Sequence, residues 1–278
     1  MGENTGSLSS VKKNDMRLRI AVYVISIILV IISLSPLLAL ITEFTGFKVN
    51  NPANVIKVLP KRINELKDYF KPRVIRGFIN SVVVTGLSTL LNVYFSALTA
   101  HSIYAYRWKF RKVFSNIILA LMMLPTIIAT SGFIHLVYKF HLENNLLVLI
   151  LPSIATPISV VFMRLYLESA FSMEMIYSAR IDGAGEFRIF NQIVLPILKP
   201  AIATQAIFAF VASWNDASTP SVVLIKDESK TLPLVTALNL AMGDYLLTAF
   251  VMTIPAVIAF LFLSKHIVEG VQLGSLKM

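Results

Sequence analysis

The chain has 278 residues, 56% of them apolar and only 14% charged, against about 45–50% and about 25% in ordinary soluble domains. With a mean hydropathy of +0.74, this composition indicates an integral membrane protein, because a soluble fold of this size could not keep so much apolar surface from water. The absence of cysteine excludes disulfide scaffolds, zinc–thiolate sites, iron–sulfur clusters and cysteine nucleophiles. The net charge of +10 comes from basic residues that flank long uncharged runs, with no recognisable nucleic-acid module among them.

A bilayer core about 30 Å thick takes about 20 apolar residues to span as a helix. The first run, Ile20–Ile41, follows Lys12, Lys13, Arg17 and Arg19. It is longer than the roughly 7–15 residues of a signal-peptide core, and no small-residue cleavage pattern clearly follows. It reads as an uncleaved first span behind a tail over residues 1–19. In the loop Thr42–Gly77, the stretch Lys61–Phe70 places Ile63, Leu66 and Phe70 on one helical face. That pattern fits either an amphipathic helix at the outer interface or a plain solvated helix.

The second run, Phe78–Tyr106, carries Ser81, Thr85, Ser88, Asn92, Ser96 and Thr99 at spacings of 4, 3, 4, 4 and 3, one polar stripe at helical period. Such a stripe could line a hydrated route for polyols, and small polar residues equally promote close helix packing in lipid. The third and fourth runs are Val113–Tyr138 and Asn144–Met163, with Pro125, Pro152 and Pro157 inside them; bundles tolerate such prolines where neighbours satisfy the freed carbonyls. A fifth run, Pro200–Ile225, is interrupted only by Asp216. Asp216 is either a functional intramembrane carboxylate or the cap of a helix break near the outer surface. The apolar stretch Thr231–Gly243 is too short to span and reads as a re-entrant or interfacial lid. The last run is Tyr245–Ser264, with Pro255 inside, followed by a tail over residues 266–278.

The expectation is therefore an all-α polytopic membrane protein, with six transmembrane helices within residues 20–265. Placing both termini in the cytoplasm puts 14 basic residues inside and 11 outside, eight of the latter in Thr42–Gly77. The margin is narrow, and the other loops favour this orientation. No His-Glu-x-x-His, Gly-x-Ser-x-Gly or P-loop occurs, and His101, His135, His141 and His266 form no i,i+4 pair. The reading is a non-enzyme with no catalytic residues, no metal site and no cofactor of its own.

The loop between the fourth and fifth spans, Arg164–Lys199, has a centre reading MIYSARIDGAGEFRIFNQIVLP from Met175 to Pro196. Gly183 and Gly185 can stop a helix, and Phe187, Ile189, Phe190, Ile193 and Val194 resume a helical face before Pro196. Two short amphipathic helices about a glycine turn are predicted, with small Ala179 and Ala184 admitting a close neighbour. This segment resembles the EAA loop of ATP-binding-cassette importer permeases: Glu-Ala-Ala, three residues, Gly, nine residues, Ile-x-Leu-Pro. Here Ala179, Gly183, Ile193, Leu195 and Pro196 hold both spacings, while Tyr177 and Ser178 stand where the pattern has Glu and Ala. The segment Phe210–Pro220, with Trp214, Asn215 and Asp216, looks like the Trp-Asn-(Asp/Glu)…Pro element of carbohydrate importer permeases. The tail Val268–Lys277, with Gly270 and Gly274, resembles the tail of the maltose-type permease subunit.

The resemblance implies a cell-membrane permease that works by alternating access. Its partners would be a homologous second permease in a heterodimer, two copies of a P-loop ATPase that bind ATP and magnesium, and an extracytoplasmic solute-binding protein. It assigns ATPase coupling to Ala179, Asp182, Gly183, Ala184, Ile193, Leu195 and Pro196. The tail contact with the ATPase would involve Gly270 and Gly274. The expected pathway residues are Ser81, Thr85, Ser88, Asn92, Trp214, Asn215 and Asp216, with a sugar or oligosaccharide as cargo. Two other cargoes, a peptide or a polyamine, suit the same machine. A stand-alone secondary transporter would need coupling-ion ligands within the spans, where only Asp216 offers one.

Overall fold

The computed structural model describes the backbone of residues 5–48, 50–241 and 245–275, and among them every regular element is helical. Residues 1–68 and 69–278 form two compact units. In the first, α1 (Thr5–Thr45) contains the whole first apolar run and begins well before it, with Pro36 inside an unbroken helix. Its stretch Leu18–Thr45 has hydropathy 2.9 with none of its most apolar window buried, so lipid is the environment that its side chains fit. Gly46 turns the chain at φ +71°, where a Cβ would come within 2.6 Å of the Val58 side chain. Asn54 Nδ2 donates to the Gly46 carbonyl at 2.8 Å and opens α2 (Asn54–Tyr69), which contains most of the predicted amphipathic helix.

The second unit is built around α3 (Pro72–Ala105). Pro72 suits its first turn, where the missing N–H would find no partner anyway. At a rise of 1.5 Å per residue α3 is about 51 Å long, more than a bilayer core requires. Val74, Gly77, Ser81, Val84, Thr85, Ser88, Asn92, Val93, Ser96, Ala97 and Ala100 form its buried face. These mostly small residues let α3 pack closely on α7 (Pro157–Ala170), α11 (Lys199–Asn215) and α13 (Leu232–Ala241), while α14 (Tyr245–Ser275) packs along α11.

Three predicted spans differ in detail. Val113–Tyr138 is two helices, α4 (Arg111–Leu121) and α5 (Thr126–Lys139), meeting at 99°. Pro125 has extended backbone (φ −60°, ψ 125°) at the start of α5, its ring lacks an N–H for α4, and Leu124 before it is biased away from helix. Asn144–Met163 resolves into α6 (Leu147–Ile150), a tighter turn Leu151–Ser153 carrying Pro152, and α7, whose first residue is Pro157. Pro200–Ile225 stops at Asn215 and restarts as α12 (Ser218–Val223). Among the described residues four helices are long and apolar enough to cross a membrane, or up to six if each bent pair counts as one. The stretch expected as a lid contains α13, whose Leu232, Val235 and Thr236 are buried. The tail expected from residue 266 continues α14 to Ser275 without a break.

Candidate functional site

The sequence-predicted loop folds as α8 (Met173–Ile181), α9 (Glu186–Ile189), a wider turn Phe190–Val194 and α10 (Leu195–Ile197). Ser172 Oγ accepts the Glu174 N–H at 3.2 Å and caps α8. Asp182 ends it, and Gly183 follows at φ +80°. The Gly183 N–H reaches the Arg180 carbonyl at 3.1 Å and the Ala184 N–H reaches the Ala179 carbonyl at 2.9 Å. This pair of bonds closes a helix through a left-handed residue, a conformation that glycine takes at no steric cost. Gly185 is extended at the start of α9.

Beneath the turn, Ile176, Ile189, Phe190, Val194 and Leu198 join Ala97, Ala100, Met163 and Leu167 in one buried cluster, with Ala184, Ile193 and Leu195 half-buried against it. The loop is thus rooted in the ends of α3 and α7. Ala179 is only 8% exposed, so the close neighbours that its small size admits are those of the buried cluster inside this chain. Outward instead point Ile181, 86% exposed, and Phe187, 76% exposed, with Asp182 and Gly183 between them. Phe187 does not share the buried side of Ile189, Phe190 and Val194, with which the sequence groups it on one helical face, because the short α9 turns it out. Ile181 had a signal: five residues after Ile176, it falls on the far side of α8.

Glu186 bridges the limbs of the turn. Its Oε1 accepts from Arg180 Nε at 2.7 Å and its Oε2 from the Tyr106 hydroxyl at 2.6 Å, while the guanidinium lies 5.5 Å from the Tyr106 ring centre. Hydrogen bonds from Arg180 and then Tyr106 hold the Glu186 carboxyl below its ordinary pKa. Nothing in the sequence spacing reveals this cluster, since Tyr106 is 80 residues away. Tyr177, at the resemblance's glutamate position, is exposed. The wide turn hands its last N–H, that of Leu195, to the Phe190 carbonyl. Pro196 and Pro200, with no N–H to give, flank the 78° bend into α11. At that angle α9 and α10 run across α11 and lie outside the spans if α11 crosses the bilayer.

The second region is a cavity of about 500 Å³ between α3, α7, α11 and the start of α12. Ser81, Thr85, Ser88 and Asn92 all line it, as do Asn215 and Asp216. The stripe also packs. Ser81 Oγ accepts the Leu232 N–H at 2.8 Å, Ser213 Oγ donates to Thr85 Oγ1 at 3.3 Å, and Asn92 Nδ2 donates to the Ser153 carbonyl at 2.7 Å and to Thr156 Oγ1 at 3.0 Å. From Thr156 a relay runs through Ser159 to Gln205 Oε1, joining α3, α7 and α11. Ser88 Oγ and Asn92 Oδ1 are buried with no hydrogen-bond partner. Asp216 lines the cavity, and its Oδ1 accepts the N–H of Ser218 at 2.9 Å and of Thr219 at 3.3 Å, opening α12 across the break after Asn215.

Trp214 does not line the cavity. Fully buried, it stacks on Phe210 at 5.8 Å, meets Phe78 edge-on and donates Nε1 to the Met252 carbonyl at 2.9 Å, which makes it an anchor between α3, α11 and α14. Tyr94 of α3 likewise packs inside the chain, edge-on to Phe190 under the loop. Gly270 and Gly274 fall in the last part of α14, where the side chains lie outside the described residues. Among the described residues no cluster of three His, Asp or Glu could hold a metal ion.

Residues 92–272, which include the loop and most of the cavity wall, match the family "Binding-protein-dependent transport system inner membrane component". The chain belongs to this family. Among the permease's relatives is the arabinooligosaccharides transport system permease protein AraQ of Halalkalibacterium halodurans, 35% identical over 205 residues, covering 72% of this chain and 73% of that one. The galactooligosaccharides transport system permease protein GanQ of Bacillus subtilis is 28% identical and spans 92% of this chain and 94% of its own. The fold resembles a crystal structure of a bacterial ABC transporter involved in the import of the acidic polysaccharide alginate, with a TM-score of 0.69, 20% identity and coverage of 91% of this chain and 97% of that one.

Proposed function

We propose that the permease forms half of the translocation pathway of an ATP-driven, binding-protein-dependent importer of a sugar or oligosaccharide. The observation that carries this reading is the direct connection of the rooted surface loop, through the 78° bend at Leu198, to α11, which supplies Gln205 and Asn215 to the cavity wall. A displacement of the loop therefore moves the cavity's wall, the kind of rigid coupling between two packed arrangements that alternating access requires. Saccharide cargo is supported by the relatives, whose names specify arabinooligosaccharides and galactooligosaccharides.

On this reading the permease sits in the cell membrane with both termini in the cytoplasm. It pairs with a homologous permease above two P-loop ATPase subunits, which bind ATP and magnesium, and receives cargo from an external binding protein. The ATPase cleft takes Ile181, Asp182, Gly183 and Phe187, while Ala179, Ala184, Ile193, Leu195 and Pro196 hold that surface in place. The end of α14, with Gly270 and Gly274, reaches toward the same partner. ATP depletion with the proton gradient left intact should abolish saccharide uptake. Uptake that follows the proton gradient and ignores ATP would make the permease part of a secondary transporter.

A further inference from the structure

The connection between α3 and α4 carries a chemistry that the pathway does not use. Arg107, Lys109, Arg111 and Lys112 stand close together in a chain that has no Asp or Glu between Asp68 and Glu143. Among the described residues none of these four forms an ion pair, whereas Arg62, Arg73 and Arg76 each have a carboxylate partner. Arg107, Lys109 and Lys112 are exposed. The exposed rings of Trp108 and Phe110 alternate with them, and Lys109 Nζ lies 5.7 Å from the Phe110 ring centre. The Arg111 N–H reaches the Trp108 carbonyl at 3.2 Å, so the chain turns at once into α4.

Both α3 and the α4–α5 pair are apolar enough to cross a bilayer, and residues 106–110 between them can stand at most about 10 Å above the helix ends. That places the connection at the headgroup layer, about 5–8 Å thick. Below it, α4 buries Ile118 against Ile103 and Val160 and turns Val113, Phe114, Ile117 and Leu121 outward at helical spacing. Trp108 meets Phe114 at 5.7 Å and joins the aromatic level to that face. From connection to helix the surface is cationic, then aromatic, then aliphatic, the order in which a phospholipid presents phosphate, glycerol and acyl chains. A zwitterionic headgroup brings its own cation, so four unpaired cations favour a headgroup of net negative charge. We propose that residues 107–112 and the outer face of α4 form a docking surface for anionic phospholipid. The Tyr106 hydroxyl, bonded to Glu186, puts this surface on the same side of the membrane as the turn at Gly183. Calling that leaflet cytoplasmic rests on the importer reading; the lipid preference does not.

The test places the assembled importer in nanodiscs of phosphatidylcholine and phosphatidylglycerol in equal amounts, each lipid in turn carrying the same diazirine-bearing acyl chain. Photolabel on the peptides that cover residues 107–121 is mapped by mass spectrometry. Phosphatidylglycerol should label this segment about fivefold more than phosphatidylcholine, the factor that one Lys or Arg near an anionic surface supplies. Arg107→Gln, Lys109→Gln and Lys112→Gln together should bring the ratio below about twofold, and Lys109→Arg with Lys112→Arg should keep it. In the parent protein, raising salt from about 0.05 to about 0.5 M should lower the ratio by screening, a reading that does not depend on the triple variant assembling. Three results overturn the docking surface: equal labelling by the two lipids, a preference that survives the Gln substitutions, or no label on residues 113–121 because another protein covers that face. Uptake by the same preparation, supplied with binding protein and ATP, is read separately. ATP-driven uptake alongside a failed lipid preference refutes only the docking surface, and a lipid preference without ATP dependence of uptake refutes only the importer reading.

Discussion

A side chain at Gly183 would change the backbone of the turn and touch nothing else, because φ is +80° and a Cβ built there meets no atom within 4 Å. The left-handed conformation costs an L residue about 1–2 kcal/mol, with asparagine penalised least and β-branched residues most. One to two kcal/mol is a factor of about 5–30 in a local equilibrium. That equilibrium is the closed turn, held by the Ala184 N–H on the Ala179 carbonyl and the Gly183 N–H on the Arg180 carbonyl. Gly183→Ala should therefore lower hydrogen-exchange protection of the Ala184 amide by about 5–30-fold, with Gly183→Asn milder and Gly183→Val more severe. Transport per ATP hydrolysed should fall in the same order. Gly185→Ala is the control: its backbone is extended at φ −70° and its Cβ also enters open space, so it should lie within about 0.5 kcal/mol of the parent. Protection in Gly183→Val equal to that of the parent, or Asn as damaging as Val, would refute the backbone reasoning.

Other substitutions have equally defined outcomes. In a double-mutant cycle, Arg180→Ala and Glu186→Ala should couple by about 0.2–1 kcal/mol, since the pair is partly solvent-exposed. Because Glu186's pKa is lowered in the folded protein, its contribution is complete above the unfolded value of about 4.3 and is lost only as pH falls through the lower folded one; the coupling should be flat between about pH 6 and 8. Trp214→Ala removes a buried anchor and its bond to Met252, and a loss of about 3–5 kcal/mol should appear in thermal melts. Asp216→Ala deprives α12 of its two N-terminal bonds and should cost about 1 kcal/mol, a loss that Asp216→Asn mostly restores. Ile181→Glu combined with Phe187→Ser should leave the melting temperature unchanged, because both side chains are exposed, while reducing ATPase subunits retained on purification.

The apolar runs made the helical content legible because length and charge-free composition are local properties. Helix breaks were less legible, because proline alone does not decide them. Pro36 and Pro255 sit inside continuous helices, whereas Pro125 marks a 99° bend. The glycine turn was readable, since the spacing to Gly183 encodes a local backbone requirement. Which side of the turn faces outward was not, because burial of Ala179 depends on packing against α3 and α7. The polar stripe of α3 illustrates the same limit: period alone could not separate lining from packing, and Ser81, Thr85 and Asn92 do both. Trp214 was expected on the pathway because it stands beside Asn215 and Asp216, while its ring turns away to Phe78 of α3 and the Met252 carbonyl of α14.

Because the sequence contains no cysteine, single-cysteine crosslinking offers the most direct measurement of the central claim. Asp182→Cys lies on the exposed tip of the turn, and Leu142→Cys, exposed just after α5, serves as the control. In membranes from cells making the whole assembly, a short bifunctional thiol-to-amine reagent should join Asp182→Cys to a P-loop ATPase identified by mass spectrometry, with a yield that changes when ATP is bound, and Leu142→Cys should give no such product. Absence of an ATPase product at Asp182, from membranes in which the ATPase is present, would contradict the account.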